Sequence, residues 1–218
     1  MKKCYYTAKD IYAIDRYTIE TIGIPSPVLM ERAAYSIYQQ LTENISSTDT
    51  ILVIVGAGNN GGDGIALARM LHIKGYSASI YCLNPDSIHP LQTHIAQQVG
   101  VPFIDSLDKV LPTIIVDALF GIGISRQIEG KYADLIHWIN QQAKARIIAI
   151  DLPSGLSADL GHPMNLAVRA DTTYTIGFLK QGMHTKEGKA LCGNIHICDI
   201  GYPNTLLKAK LDLDPLIK

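Results

Sequence analysis

Six short runs of consecutive apolar residues are spread along the chain, and stretches with helical periodicity lie between most of them. The runs lie at 51–55, 77–83, 113–117, 146–151, 172–177 and 194–200. Most are apolar at nearly every position, which is typical of strands covered on both faces of a parallel sheet. After the first run, apolar residues recur at helical spacing, as in Ile65, Ala68 and Leu71. This alternation predicts βαβ units, a right-handed parallel sheet and an α/β fold.

Two helices are predicted before the first of these strands. Thr7 followed by Asp10 resembles a capping box in which Asp replaces the usual Glu or Gln. Ser26 and Pro27 are interpreted as the N-cap and the first residue of a second helix. No repeat, linker or low-complexity tract divides the sequence, so we expect a single domain over residues 1–218.

Composition, charge and cysteine spacing argue against several classes of function. The 218 residues include 19 Lys and Arg against 20 Asp and Glu, giving a formal net charge of −1, and 47% are hydrophobic. Near-neutral charge without a basic stripe argues against a nucleic-acid binder, and no apolar run approaches the roughly 20 residues of a membrane span. The four cysteines show no CxxC spacing and no signal-peptide pattern is visible, which favours a reducing, cytoplasmic location.

A glycine-rich segment, GAGNNGGDG at 56–64, follows the first strand and leads into a helix. It satisfies the GxGxxG dinucleotide pattern, in which backbone amides approach a pyrophosphate. Ordinary NAD binding is disfavoured because Asp63 puts a carboxylate at the helix entrance. Asn59, Asn60 and Asp63 have two interpretations, as turn and cap residues or as ligand contacts. Two adjacent asparagines favour the ligand, since capping needs only one polar side chain.

Two carboxylates stand at strand ends. Asp117 and Asp151 each end a predicted strand and begin a glycine-containing loop. Ligands of open α/β sheets bind outside the carboxyl ends of the strands, so we expect both residues and the glycine-rich segment at one crevice. Each carboxylate alone is equally compatible with accepting loop amides. Ser154 follows the fourth strand, but Leu152 and Leu156 replace the glycines of a GxSxG nucleophile elbow.

Asn60, Asp117 and Ser154 together form a set of hard oxygen donors: an amide, a carboxylate and a hydroxyl. Without a His or Cys cluster in the sequence pattern, this set favours a hard cation over zinc. The seven histidines show no ligand spacing, and only His162 and His184, both in predicted loops, are kept as exceptions.

Five segments in order, GAGNNGGDG, VDALFGIG, AIDLPSGL, ADTTYTIGFLKQGM and NIHICDIG, resemble the NAD(P)H-hydrate epimerase family over about residues 7–203. The resemblance implies a Rossmann-like three-layer αβα sandwich with a mainly parallel sheet and two leading helices, usually as a homodimer. It also implies an isomerase that interconverts the R and S epimers of NADHX and NADPHX, the C6-hydrated forms of NADH and NADPH. Potassium would sit in the site, and a separate hydrate dehydratase would act downstream.

The resemblance implies residue roles as well. The implied substrate-binding positions are Asn59, Asn60, Gly61, Gly62 and Asp63, the opposite loop of Gly121, Ile122, Gly123, Ile124, Ser125, Arg126 and Gln127, and Asp151. The implied potassium ligands are Asn60, Asp117 and Ser154. Asp151 and Lys180 are the implied catalytic positions, and we expect Asp151 to move a proton to and from the oxygen at C6.

Two other functions stay open. A member of the same fold could bind metabolites without turnover or act as a protein scaffold, although a scaffold needs neither Asn60 nor the carboxylates. An NAD-dependent oxidoreductase is the third candidate. If the protein is a homodimer, the two leading helices with Tyr12, Tyr35 and Tyr38 are the expected contact.

Overall fold

The computed structural model describes residues 5–124 and 126–203. The strands are β1 (Tyr5–Tyr6), β2 (Thr50–Val55), β3 (Ser77–Cys82), β4 (Phe103–Ile104), β5 (Ile114–Ala118), β6 (Arg146–Ile150), β7 (Thr172–Ile176), β8 (Leu179–Lys180) and β9 (Asn194–Cys198). The helices are α1 (Ala8–Glu20), α2 (Ser26–Thr42), α3 (Asn59–Ile73), α4 (Pro90–Gln98), α5 (Gly130–Asn140) and α6 (Lys186–Cys192), with 3₁₀ turns at Pro85–Ser87 and Gln181–His184. All six predicted strands are confirmed, to within two residues at each end.

Seven strands form one sheet in the order β4-β3-β2-β5-β6-β7-β9, and every neighbouring pair is parallel. The remaining strands, β1 and β8, form a separate two-stranded parallel pair. The predicted α/β class with a parallel sheet is therefore confirmed. Strands β1, β4 and β8 are missing from the prediction because each has two residues, too few to show a periodic pattern.

Helices cover both faces of the large sheet. On one face, Ile37 of α2 and Leu67 of α3 pack with Val53 in a continuous apolar core. On the other face, Ile136 of α5 packs with Ile54. Neighbouring residues of β2 thus pack against helices on opposite faces of the sheet, as the alternation of side chains along a strand requires. The predicted three-layer αβα sandwich is therefore confirmed. In the ranges that the structure describes, no helix combines the length and hydrophobicity needed to cross a bilayer.

The two leading helices are present, and one of their two predicted starts is confirmed. Thr7 and Asp10 form the expected capping box, with each side chain accepting the other's backbone N–H. The prediction of Ser26 as N-cap is wrong by one residue: Pro25 is the N-cap, and Ser26 is the first helical residue. The reason is that the Pro25 carbonyl accepts the first helical hydrogen bonds, from the N–H groups of Val28 and Leu29.

Candidate active site

The glycine-rich segment brings the first turn of α3 against the carboxyl ends of β2 and β5. A Cβ on Gly61 would lie 1.9 Å from the Gly56 carbonyl oxygen, and one on Gly56 would lie 1.9 Å from the Leu119 carbonyl oxygen. Glycine is therefore required at both positions for the backbones to approach. No side chain caps this helix, and Asn59 and Asn60 are its first two residues, so the side chain of neither residue acts as a cap.

A cavity of about 900 Å³ opens beside this turn, at the carboxyl edge of the sheet. Most of the predicted substrate-binding residues line it: Asn59, Asn60, Asp63, Gly121, Ile122, Gly123, Ile124, Arg126, Gln127 and Asp151. Gly61 and Gly62 are buried behind its wall, where Gly62 packs against Met30. Ser125 lies outside the described residues.

Sequence reasoning missed the side of the cavity that α1 and the segment after β9 supply. Asp15 and Tyr202 line it, and Tyr12, expected at a dimer contact, is also in its wall. The Tyr202 hydroxyl donates to Asp15 Oδ1 over 3.0 Å, and its ring stacks on Phe178. The available signal was the spacing of Tyr12 and Asp15, which places both on one face of a helix.

A backbone amide and a buried lysine hold the carboxylate of Asp151 in place. Asp151 follows β6 with a φ of 66°, a left-handed conformation that is costly for a residue other than glycine. Its Oδ1 accepts the N–H of Ile176 at 3.1 Å and an N–H of the Lys180 ammonium. Lys180, only 1% exposed, also donates to Thr175 Oγ1 and to the Ile176 carbonyl. The ammonium thus has three acceptors and lies outside the cavity wall, behind the carboxylate.

The second oxygen of Asp151 faces the cavity beside Gly121. A Cβ on Gly121 would lie 3.4 Å from Asp151 Oδ2 and 3.4 Å from the Cβ of Asn60. A side chain there would separate the carboxylate from the first turn of α3. Asp151 therefore has one oxygen fixed by a cation and an amide, while the other is available to a ligand. Such a carboxylate can exchange a proton with a bound molecule.

Asp117 and Ser154 form a buried pair one strand away. Ser154 donates its N–H to Asp117 Oδ2 at 2.7 Å and its hydroxyl to Oδ1 at 2.6 Å. The Ser154 hydroxyl accepts the N–H of Phe120 at 2.9 Å, so the pair is bound to the loop after β5. Burial raises the pKa of Asp117 to about 6, and these hydrogen bonds oppose the rise in part.

The side-chain amide of Asn60, in the same cavity wall as Asp151, has no hydrogen-bond partner within the described part of the chain. Both its Oδ1 and its Nδ2 are buried without a hydrogen-bond partner, which costs free energy unless a ligand is bound.

In residues 5–124 and 126–203, no three His, Cys, Asp or Glu side chains group as a metal site. His162 and His184 lie outside the cavity wall, and His184 packs on the ring of Tyr5.

The cavity is strongly acidic. Burial raises the pKa of Asp63 well above its usual range, and the nearby charges of Asp151 and Asp15 raise it further, while Lys180 lowers it. Burial also raises the pKa of Asp15, against the hydrogen bond from Tyr202. Asp63 and Asp15 therefore bind a proton more readily than ordinary exposed carboxyl groups do.

These features define a Rossmann-like α/β protein with an acidic cavity at the carboxyl edge of its sheet. Residues 26–182 match the family model described as YjeF-related protein N-terminus. The chain belongs to this family.

Curated relatives match over nearly their whole length. A protein of Oenococcus oeni named NAD(P)H-hydrate epimerase is 42% identical over 209 residues, covering 92% of this chain and 98% of the relative. One of Levilactobacillus brevis with the same name is 42% identical over 200 residues, covering 89% and 93%. The crystal structure of yeast ynu0, YNL200c, matches with a TM-score of 0.75 at 20% identity, covering 89% of this chain and 87% of the yeast chain, which supports the fold.

Proposed function

We propose that this protein is an isomerase that interconverts the R and S epimers of NADHX and NADPHX, a repair step for damaged nicotinamide cofactors. The observation that carries the proposal is the Asp151 carboxylate, with one oxygen anchored by Lys180 and the other facing a large cavity. The relatives named NAD(P)H-hydrate epimerase, at about 42% identity over nearly the whole chain, support the same activity.

The chemistry explains why a carboxylate is needed. Inverting C6 requires its hydroxyl to leave, with help from the lone pair of the ring nitrogen, and water to return on the other face. Departure needs a proton and return releases one, so a positioned acid or base contributes about 10²–10⁴-fold. Asp151 is the proposed proton carrier. Lys180 acts through Asp151 as a positioning residue, since it does not line the cavity.

Potassium is the proposed cofactor, with Asn60, Asp117 and Ser154 as its ligands. The unpaired Asn60 oxygen and the buried Asp117 carboxylate are hard donors that suit such a cation. All three residues adjoin the loop after β5. Asp117 lies near the end of β5, Ser154 accepts the N–H of Phe120, and a Cβ on Gly121 would lie 3.4 Å from the Cβ of Asn60. A bound cation would fix this loop and polarise nearby oxygens.

The biological setting is part of the proposal. We place the protein in the cytoplasm as a homodimer, upstream of a hydrate dehydratase that consumes one epimer. Tyr35 is 52% exposed on α2 and its ring stacks on Tyr38, which supports this helix as the dimer contact. Cys82, Cys192 and Cys198 are free thiols, in keeping with a reducing compartment.

The test follows a single epimer. One chromatographically resolved epimer of NADHX is incubated with the protein, and the appearance of the other is measured. We expect rapid conversion by the native protein and a loss of about 10²–10⁴-fold in Asp151→Asn, which keeps the shape and removes the base. Asp134→Asn, on the exposed face of α5, serves as the matched control. Equal rates in Asp151→Asn and the native protein would reject the assignment.

A further inference from the structure

Two carboxyl groups of the cavity have opposite surroundings. Asp151 receives an ammonium N–H from Lys180 and a backbone N–H from Ile176. Asp63 lies in the cavity wall and is 7% exposed. Among the described residues, no donor or cation pairs with its carboxyl group. A buried carboxyl group without donors is costly as an anion, which favours the protonated form of Asp63.

The neighbours of Asp63 reinforce this difference. The other charged and titratable groups around the cavity come from α1, the loop after β5, α5, the end of β6 and the segment after β9: Tyr12, Asp15, Arg126, Glu129, Tyr132, Asp151 and Tyr202. Asp151 and Asp15 raise the pKa of Asp63, and Lys180 lowers it by less. A potassium ion at Asn60 would add a positive charge, so experiments must keep potassium constant.

Inversion of C6 involves two proton transfers. The hydroxyl leaves C6 from one face of the ring and water enters from the other. A carboxyl group on each side of the ring would serve both transfers without having to move. Asp63 on α3 and Asp151 at the end of β6 lie in the walls that two different elements contribute. Of the two, only Asp151 accepts hydrogen bonds from the residues that the structure describes.

Building on the proposed epimerase function, we propose that Asp63 and Asp151 act on opposite faces of the substrate ring. Asp63 protonates the departing hydroxyl, and Asp151 accepts a proton from the entering water. In the opposite direction of epimerisation the two residues exchange roles.

The step balances in atoms and charge. The C6–O bond breaks with its electron pair on oxygen, the Asp63 proton completes a water molecule, and the ring-nitrogen lone pair forms an N1=C6 double bond. Water then bonds to C6 on the other face, the electron pair returns to nitrogen, and the released proton goes to Asp151. One proton has moved from Asp63 to Asp151, and exchange with solvent restores the starting state.

The test uses oxygen-18 water and each resolved epimer of NADHX at constant potassium, with both epimers analysed by mass spectrometry. The native protein should add one label atom per inversion. In Asp151→Asn, Asp63 can still release and return oxygen on its own face, so label should enter one epimer without inversion. In Asp63→Asn, inversion should fall at least about 100-fold, and label should enter only the opposite epimer. Asp134→Asn should behave as the native protein does.

Each other result has a defined meaning. If the native protein does not invert C6, the proposed function itself fails. If it inverts C6 without taking up label, the function stands and this mechanism fails. The two-carboxyl proposal is also overturned if both variants label the same epimer, if neither labels any, or if Asp63→Asn inverts C6 at the native rate. The Asp151→Asn result does not depend on whether Asp63→Asn folds.

Discussion

At the scale of single residues, the site depends on how Asp151 is supported. The sequence identifies this aspartate because it lies at the end of a strand, and ligands of open α/β sheets bind outside the carboxyl ends of the strands. It does not reveal the left-handed backbone of Asp151 or the burial of Lys180. Both depend on contacts between residues 29 positions apart, which no local pattern encodes. The catalytic role that the family resemblance implies for Lys180 therefore becomes, in our proposal, that of a positioning residue.

Replacing Lys180 tests this positioning role. In Lys180→Met, Asp151 Oδ1 loses the ammonium donor and keeps only the N–H of Ile176. We expect kcat to fall at least about tenfold, since a hydrogen bond between charged groups contributes about 1.5–3 kcal/mol, while KM changes little because Lys180 lies outside the cavity wall. Breaking a buried pair also costs about 3–5 kcal/mol of stability, so rates are measured well below the melting temperature.

Lys189→Met is the matched control, since Lys189 is exposed on α6. Its kcat and KM should be unchanged. A folded Lys180→Met protein that keeps the native kcat would show that Lys180 does not position Asp151.

At the scale of elements, the glycine-rich segment shows what the sequence can predict. Its position between β2 and α3 follows from the apolar pattern, and its glycines predict a close backbone approach. What approaches could not be predicted: Gly56 contacts Leu119, in the loop after β5, because that contact depends on strand order. The start of α2 at Ser26 was likewise missed by one residue, since side-chain preference could not reveal that the Pro25 carbonyl is the first acceptor.

Two alanine substitutions in this segment should differ in their effects. Gly61→Ala would bring a Cβ within 1.9 Å of a backbone oxygen, whereas a Cβ on Gly58 meets nothing within 4 Å. We expect Gly61→Ala to lower the free energy of unfolding by about 1–3 kcal/mol, as overpacking does. Gly58→Ala should stay within about 0.5 kcal/mol of the native protein. Urea denaturation measures both, and equal stability of the two variants would contradict the close approach.

At the scale of the whole molecule, the cavity is assembled from parts that are distant in the sequence. The first turn of α3, the loop after β5 and Asp151 were predicted to meet, because parallel strands share a carboxyl edge. The wall formed by α1 and Tyr202 was not predicted, since no motif marks Asp15 and only the folded chain brings it to Tyr202. The fold class could be predicted from the sequence, whereas about half of the residues in the cavity wall could not.

Potassium should stabilise the folded molecule if Asn60, Asp117 and Ser154 bind it. A ligand that binds only the folded state adds about 2.7 kcal/mol at 100 times its Kd. We therefore expect a higher melting temperature in potassium chloride than in tetramethylammonium chloride at equal ionic strength. The gain should disappear in Asp117→Asn and persist in Asp134→Asn. The same gain in Asp117→Asn would exclude Asp117 as a ligand.

The most direct test of the proposed function couples the protein to a hydrate dehydratase that consumes only the S epimer of NADHX. With a mixed-epimer preparation, the dehydratase alone should consume its epimer quickly and leave the other to slow spontaneous inversion. Adding the native protein should make the remainder disappear rapidly, and adding Asp151→Asn should not. An unchanged slow phase, with folded protein and potassium present, would contradict the epimerase function and favour a ligand-binding or scaffold role.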